Sequence, residues 1–299
     1  MKSFFPPCPN TRCVSGGTVR LFPQGKVPGN LSRRILAALV LIPLVLGALF
    51  LGRPYSDLFL LLVVMLMAWE WVHLCHPATH SRLVPAAFTV FAGLSFMTWS
   101  STTPLLAAAF MASGMAGLLA FGWLSRHGKA RHEGYWLALG VLYCVLPIVA
   151  FQGLYMKPAY GGTLAIWLLL VVWSTDTAAM AAGRTIGGPR LCPRISPNKT
   201  WAGLLGGAIF AGLVGLTAGM IFSYAVPMAL AVTAAVLAFV AQAGDLVESL
   251  VKRHFDVKDS GRLLPGHGGI LDRVDGLVTA SPCLLVLLEW PLFESWVTG

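Results

Sequence analysis

Residues 202–222 read AGLLGGAIFAGLVGLTAGMIF, a run without one charged side chain. Wound as a helix at about 1.5 Å of rise per residue, such a run crosses the roughly 30 Å hydrocarbon core of a bilayer. A lipid-facing strand would alternate apolar and polar residues with a period of two, and this run does not. In lipid the backbone amides and carbonyls must also find partners inside the structure, which a helix provides and an open chain does not. Gly203, Gly207, Ala211, Gly215 and Gly219 recur every four residues along it. They form one smooth helical face against which another helix, of this chain or of a second copy, can pack closely.

Comparable apolar runs lie on either side, over 35–52, 55–73, 84–99, 104–124, 135–155, 162–182, 225–248 and 274–297. Composition agrees with them: 57% of the 299 residues are hydrophobic and only 11% charged, too apolar for a soluble domain of this length. The fold class expected is therefore all-α, a polytopic integral membrane protein with about nine transmembrane helices. No internal repeat stands out, which weighs against a transporter built from inverted halves.

The basic residues orient the spans. All but two of the 21 Lys and Arg residues, Arg53 and Lys157, fall on the segments that are cytoplasmic if the N-terminus is cytoplasmic. The C-terminus is then expected outside. A net charge of +9 gathered in short loops beside spans finds its partner in anionic lipid headgroups, so membrane lipids and not nucleic acid are the expected contact. Six cysteines without a CxxC spacing suggest neither a structural disulfide nor a zinc site.

Three regions follow. Residues 1–33 form a Pro- and Gly-containing polar leader, expected to be a disordered cytoplasmic tail. Residues 34–160 carry few charges and are expected to be transmembrane scaffold. Glu70, set between Trp69 and Trp71, reads there as an interfacial carboxylate in an aromatic belt. Residues 161–299 hold Asp176 within a span and Asp245 and Glu248 near the end of another. A carboxylate inside the membrane costs on the order of 2.5–3.5 kcal/mol on insertion scales, so these need a cation, a partner or water. A catalytic region with its site at the cytoplasmic edge is the expectation.

Half of the 12 acidic residues lie between positions 245 and 275: Asp245, Glu248, Asp256, Asp259, Asp272 and Asp275. Lys252, Arg253, Lys258, Arg262 and Arg273 share the same window, with His254 and His267. Such mixed charge suits a metal-bound polyphosphate, whose roughly four negative charges Lys and Arg can meet while carboxylates hold the ion. Pro265-Gly266-His267-Gly268-Gly269 adds a turn whose backbone can approach a phosphate closely. Asp272 and Asp275 lie one helical turn apart, and Asp245, Glu248, Ser249, Lys252 and Arg253 share a face of the preceding span.

Ser249, Lys252-Arg253, Lys258-Asp259, Gly261, Leu264-Pro265, His267-Gly268-Gly269 and Asp272-Arg273-Val274-Asp275 together resemble the C-terminal signature of the phosphatidate cytidylyltransferases. Asp176, Gly183-Arg184 and Ser196-Pro197-Asn198-Lys199-Thr200-Trp201 resemble a second motif of that family, in the same order along the chain. Met180 stands where many members carry tyrosine, and Ala202 where many carry glutamate. No phenol or carboxylate can act at those two positions here.

The resemblance implies a multi-pass transferase of the bacterial inner membrane. It would join CTP to phosphatidic acid, giving CDP-diacylglycerol and pyrophosphate in phospholipid biosynthesis. It also implies a divalent cation, expected to be Mg²⁺ alone or with a second, monovalent cation, and homodimers in at least some members. Phosphatidic acid already carries an anionic nucleophile, so the chemical difficulty is charge and not proton removal. Roles then follow from charge. Asp245 and Asp272 are the first expected metal ligands, with Asp275 and Asp176 behind them. Lys252, Arg253 and Lys258 are expected on the CTP phosphates, and Ser196, Lys199 and Thr200 on the lipid phosphate or a CTP oxygen. Ser249, Gly268, Gly269 and Arg273 complete the expected substrate contacts, and His267 is expected to donate to phosphate or shape the turn.

Two other readings stay open at this stage. An ion-coupled transporter would place its charges at midplane or on both faces, whereas these gather at one edge. A cytidylyltransferase acting on another lipid phosphate would use the same polar residues.

Overall fold

The computed structural model describes residues 30–75, 83–101, 104–124, 128–261 and 268–298. Helix α1 spans Asn30–Leu51, α2 Tyr55–Cys75, α3 Leu83–Ser101, α4 Pro104–Leu124, α5 Gly128–Tyr155 and α6 Gly161–Thr185. A hairpin follows, β1 Arg190–Cys192 and β2 Ser196–Thr200, and then α7 Trp201–Ile221, α8 Pro227–His254, α9 Leu271–Leu288 and α10 Pro291–Thr298. Of the expected tail, residues 1–29 lie outside the described residues, and α1 already begins at Asn30.

The all-α membrane fold stands. Among the described residues six helices are long and apolar enough to cross a bilayer, and the bent pair α9 and α10 makes a seventh if it counts as one span. The described apolar parts of α1 and α4, Leu39–Leu51 and Leu105–Ala120, are shorter than a full crossing. The run over 274–297, expected as one helix, is broken: α9 and α10 meet at 95°. Pro291 explains the break, since it lacks an amide hydrogen to continue α9 and disfavours helical geometry at Trp290. It starts α10 instead, where Trp290 accepts from the amides of Phe293 and Glu294.

Helices α6, α7, α8 and α9 pack in succession, and α9 closes against α5, which packs in turn on α2 and α4. The stripe on α7 packs within the chain. Gly203, Gly207, Ala211, Gly215 and Gly219 are all buried. A Cβ on Gly203 would stand 2.8 Å from the Ala179 carbonyl oxygen of α6, and one on Gly207 would stand 3.1 Å from that of Thr175. On the same face the buried indole of Trp167 donates to the Gly215 carbonyl oxygen at 3.1 Å. Lipid tails give two helices no hydrophobic reason to associate, so backbones brought this close by small residues supply the cohesion.

The hairpin between α6 and α7 is the one pair of strands among the described residues, with Arg190 opposite Thr200 and Cys192 opposite Ser196. It ends in an N-cap: Thr200 is extended, at φ −120° and ψ 157°, and its Oγ1 accepts from the Gly203 amide at 3.1 Å. A cap of this kind contributes about 1 kcal/mol. It fixes how β2 enters α7, and so where Lys199 points.

Candidate active site

Four elements converge on one end of the bundle: the second half of α6, strand β2, the last turns of α8 and the first turns of α9. Between them lies a cavity of about 980 Å³. Asp176, Arg184, Lys199, Asp245, Arg273 and Asp275 line its polar part. Leu41, Val45, Phe59, Val63, Phe151 and Trp173 line the rest. Along α9 the lining runs from Asp272 to Ser281, about 13 Å at the helical rise. The cavity therefore passes from a charged end to an apolar one.

The carboxylates of Asp245, Glu248 and Asp275 each offer an oxygen within 4.8 Å of the others. Glu248 is 3% exposed, and among the described residues its Oε1 has no hydrogen-bond partner. A buried acceptor left unmet, beside two more carboxylates, fits a metal ion held by oxygen ligands, which hard cations favour. Sequence reasoning placed Glu248 on this helical face but not among the ligands. What marks it is its buried, unmet oxygen, which spacing alone does not reveal.

The other two expected ligands are held differently. Asp272 is fully engaged: Oδ1 meets Lys252 Nζ at 2.6 Å, and Oδ2 accepts from the Ser260 amide, the Ser260 hydroxyl and the Gly269 amide at 3.1, 3.0 and 2.9 Å. It neutralises Lys252 and ties down the start of α9, where backbone amides lack helical partners. Asp176 lies outside the cluster and accepts from Gln242 Nε2 at 3.2 Å.

The cations are also sorted by the fold. Lys199 reaches Asp245 Oδ2 at 2.6 Å and the Gln242 carbonyl oxygen at 3.3 Å. Lys252 is enclosed between Glu248 Oε2 at 3.1 Å and Asp272 Oδ1, behind the cavity wall. Arg253 is exposed and donates to the Ile195 carbonyl oxygen at the hairpin turn, at 3.4 Å. Lys258 is exposed and outside the lining. Of the cations expected on phosphate, Lys199 and Arg273 line the cavity, joined by Arg184.

Ser249 Oγ donates to Asp245 Oδ1 at 3.3 Å, and Ser196 lies outside the lining while Asn198, Lys199 and Thr200 belong to it. Gly268 sits at φ +82°, where a Cβ would also stand 2.7 Å from Asp272 Oδ2, so glycine is required there. The amide of Gly269, expected to face phosphate, is spent on Asp272. His267 lies outside the described residues, as do Arg262, Leu264 and Pro265.

Glu70 departs most from its sequence reading. It is buried, not interfacial, with Oε1 accepting from the Ile270 amide at 2.9 Å and Oε2 from the Leu271 amide at 3.0 Å. A carboxylate of α2 thus meets the backbone at the start of α9.

Residues 32–290 match the profile of the Cytidylyltransferase family. The chain belongs to that family. Among its relatives is the phosphatidate cytidylyltransferase of Brucella suis, 40% identical over 257 residues that cover 85% of this chain and 92% of the relative. That of Pseudomonas aeruginosa is 36% identical, covering 86% of this chain and 97% of its own length. That of Rickettsia felis is 31% identical, covering 86% and 92%. The match extends across the first helices as well as the residues around the cavity.

Proposed function

We propose that this protein transfers the cytidylyl group of CTP to phosphatidic acid, giving CDP-diacylglycerol and pyrophosphate at the cytoplasmic face of a bacterial inner membrane. The observation that carries the reading is the cavity itself, which joins a cluster of carboxylates and cations to a long apolar lining. That combination suits a nucleotide and a lipid phosphate meeting at a membrane edge. The names of the Brucella, Pseudomonas and Rickettsia relatives support the same substrates.

An oxygen of the phosphatidic acid phosphate forms a bond to the α-phosphorus of CTP, and the bond from that phosphorus to the bridging oxygen of the β-phosphate breaks. Pyrophosphate leaves with the electron pair. The nucleophile is already anionic, so no side chain need remove a proton. Catalysis then rests on alignment and on relief of charge repulsion. Lys199, Arg184 and Arg273 bind phosphate oxygens from the cavity wall. Lys252 stays between Glu248 and Asp272 and holds both carboxylates in place. Asp245, Glu248 and Asp275 would hold Mg²⁺, which supplies positive charge to the phosphates when bound. The acyl chains lie along Val45, Phe59, Val63 and Phe151. A homodimer belongs to the same reading.

The purified chain in detergent, given CTP and phosphatidic acid with and without Mg²⁺, tests this directly. CDP-diacylglycerol and pyrophosphate in equal amounts, dependent on Mg²⁺, are the expected products. Product from a different lipid phosphate alone would reassign the lipid, and no product from any of them would overturn the reading.

A further inference from the structure

We infer that Glu70, in the half of the chain that looks like scaffold, is a positioning residue for cytidylyl transfer: it sets the placement of α9 and through it the geometry of the Asp245, Glu248 and Asp275 cluster. The inference rests on the cytidylyl-transfer reading. Glu70 is 2% exposed and lies outside the cavity lining, so it acts through other residues and not on substrate.

Its two oxygens take the two successive amides of Ile270 and Leu271, and Oε2 also lies 3.3 Å from the Ser260 hydroxyl. The residue that caps α9 in sequence, Ile270, has no side-chain cap to offer. A carboxylate from α2 meets the open amides instead, and its negative charge suits the positive end of the helix.

The backbone is folded around this carboxylate. A Cβ on Gly261 would fall 2.8 Å from the Glu70 carboxyl carbon, and one on Gly269 would meet Glu70 Oε2 and Ser260 Oγ. Ser260 Oγ stands between Glu70 Oε2 and Asp272 Oδ2, with one proton for two acceptors. Asp272 in turn holds Lys252, which holds Glu248, and one helical turn beyond Asp272 is Asp275. A shift or rotation of the start of α9 would therefore move one member of the cluster directly and loosen a second through Lys252. Displacements of about 1 Å at a reacting centre can cost on the order of 100-fold in rate.

Glu70→Gln has nearly the same shape but loses the charge and turns an amide N–H₂ toward one of the backbone N–H groups. The experiment compares wild type and Glu70→Gln in detergent by steady-state kinetics, thermal unfolding and Mn²⁺ binding followed by electron paramagnetic resonance. The expected result is a fall in kcat of about tenfold or more, Mn²⁺ binding weakened several-fold, and a phosphatidic acid KM within about twofold of wild type, since that lining lies elsewhere. A folded Glu70→Gln variant with wild-type kcat and Mn²⁺ affinity would overturn the inference. So would a loss of activity that only tracks the folded fraction.

If Glu70→Gln does not accumulate folded, Glu70→Asp decides. It keeps the charge but draws the carboxylate back by one methylene from the Ile270 and Leu271 amides, and wild-type turnover and Mn²⁺ affinity in that variant would overturn the inference. Absence of CDP-lipid from the wild type would defeat the functional reading, and the Mn²⁺ comparison would still judge the role of Glu70.

Discussion

Lys199 of the hairpin and Asp245 of α8 stand 2.6 Å apart, and both line the cavity. Their side chains are 15% and 28% exposed, enough burial to spare the pair most of the screening that makes surface ion pairs weak. Lys199 also bridges to the Gln242 carbonyl oxygen one turn back on α8, so this one side chain docks the hairpin on α8 twice. The pair holds the Lys199 ammonium at the cavity wall. Lys199→Ala is expected to lower kcat/KM for CTP by about 100-fold, near 2.7 kcal/mol of transition-state stabilisation, with Lys199→Arg recovering part. Steady-state kinetics with CTP varied measures it, and an unchanged kcat/KM would remove Lys199 from the site.

Lys252 sits between Glu248 and Asp272 with 13% of its side chain exposed, against 3% and 12% for its partners. Removing the cation leaves two buried carboxylates facing each other, a change that costs about 3–5 kcal/mol when a buried pair loses one member. Lys252→Met is expected to lower the unfolding temperature in detergent markedly, and Glu248→Gln added to it to restore part of the loss. A Lys252→Met protein that melts like wild type would show that the three groups are not a structural unit.

Most of this arrangement was legible in the sequence because it repeats at helical spacing. Asp245, Glu248, Ser249 and Lys252 announce a shared face, and the four-residue period of Gly203, Gly207, Ala211 and Gly215 announces a close helix contact. Which carboxylates gather was not legible. Asp272 and Asp275 look equivalent one turn apart, and only the Lys252 and Gly269 contacts show that the first is already spent. Glu70 was hidden for a stronger reason. Its partners are backbone amides 200 and 201 residues away, and an amide carries no mark of residue type. The break at Trp290 was written in Pro291, but hydropathy runs straight across it.

Asp245, Glu248 and Asp275 gather their carboxylates, and Asp176 lies outside that group. Asp275→Asn removes a charge from within the cluster and is expected to raise the Mg²⁺ concentration for half-maximal activity by at least about tenfold. Asp176→Asn, which changes a carboxylate bonded to Gln242 and outside the cluster, is expected to move it by less than about threefold. Chelation by EDTA should abolish turnover in the wild type, and added Mg²⁺ should restore it. Equal shifts from both substitutions, measured by Mg²⁺ titration of initial rates, would make Asp176 a ligand as well.

Val63 of α2 and Val45 of α1 line the apolar part of the cavity, away from the carboxylates and lysines. If acyl chains occupy that region, narrowing it should penalise long chains and spare short ones, because each methylene that loses its place forfeits about 0.8 kcal/mol of burial. Val63→Trp fills part of the space with an indole and leaves the charged edge untouched. For phosphatidic acid with two long chains, kcat/KM is expected to fall at least about tenfold, the effect of roughly two displaced methylenes. For a short-chain phosphatidic acid it should stay within about twofold, and the CTP KM should not change. A parallel fall with both lipids would mean that the tryptophan disturbs packing between α1 and α2, and that the chains leave the site by another route.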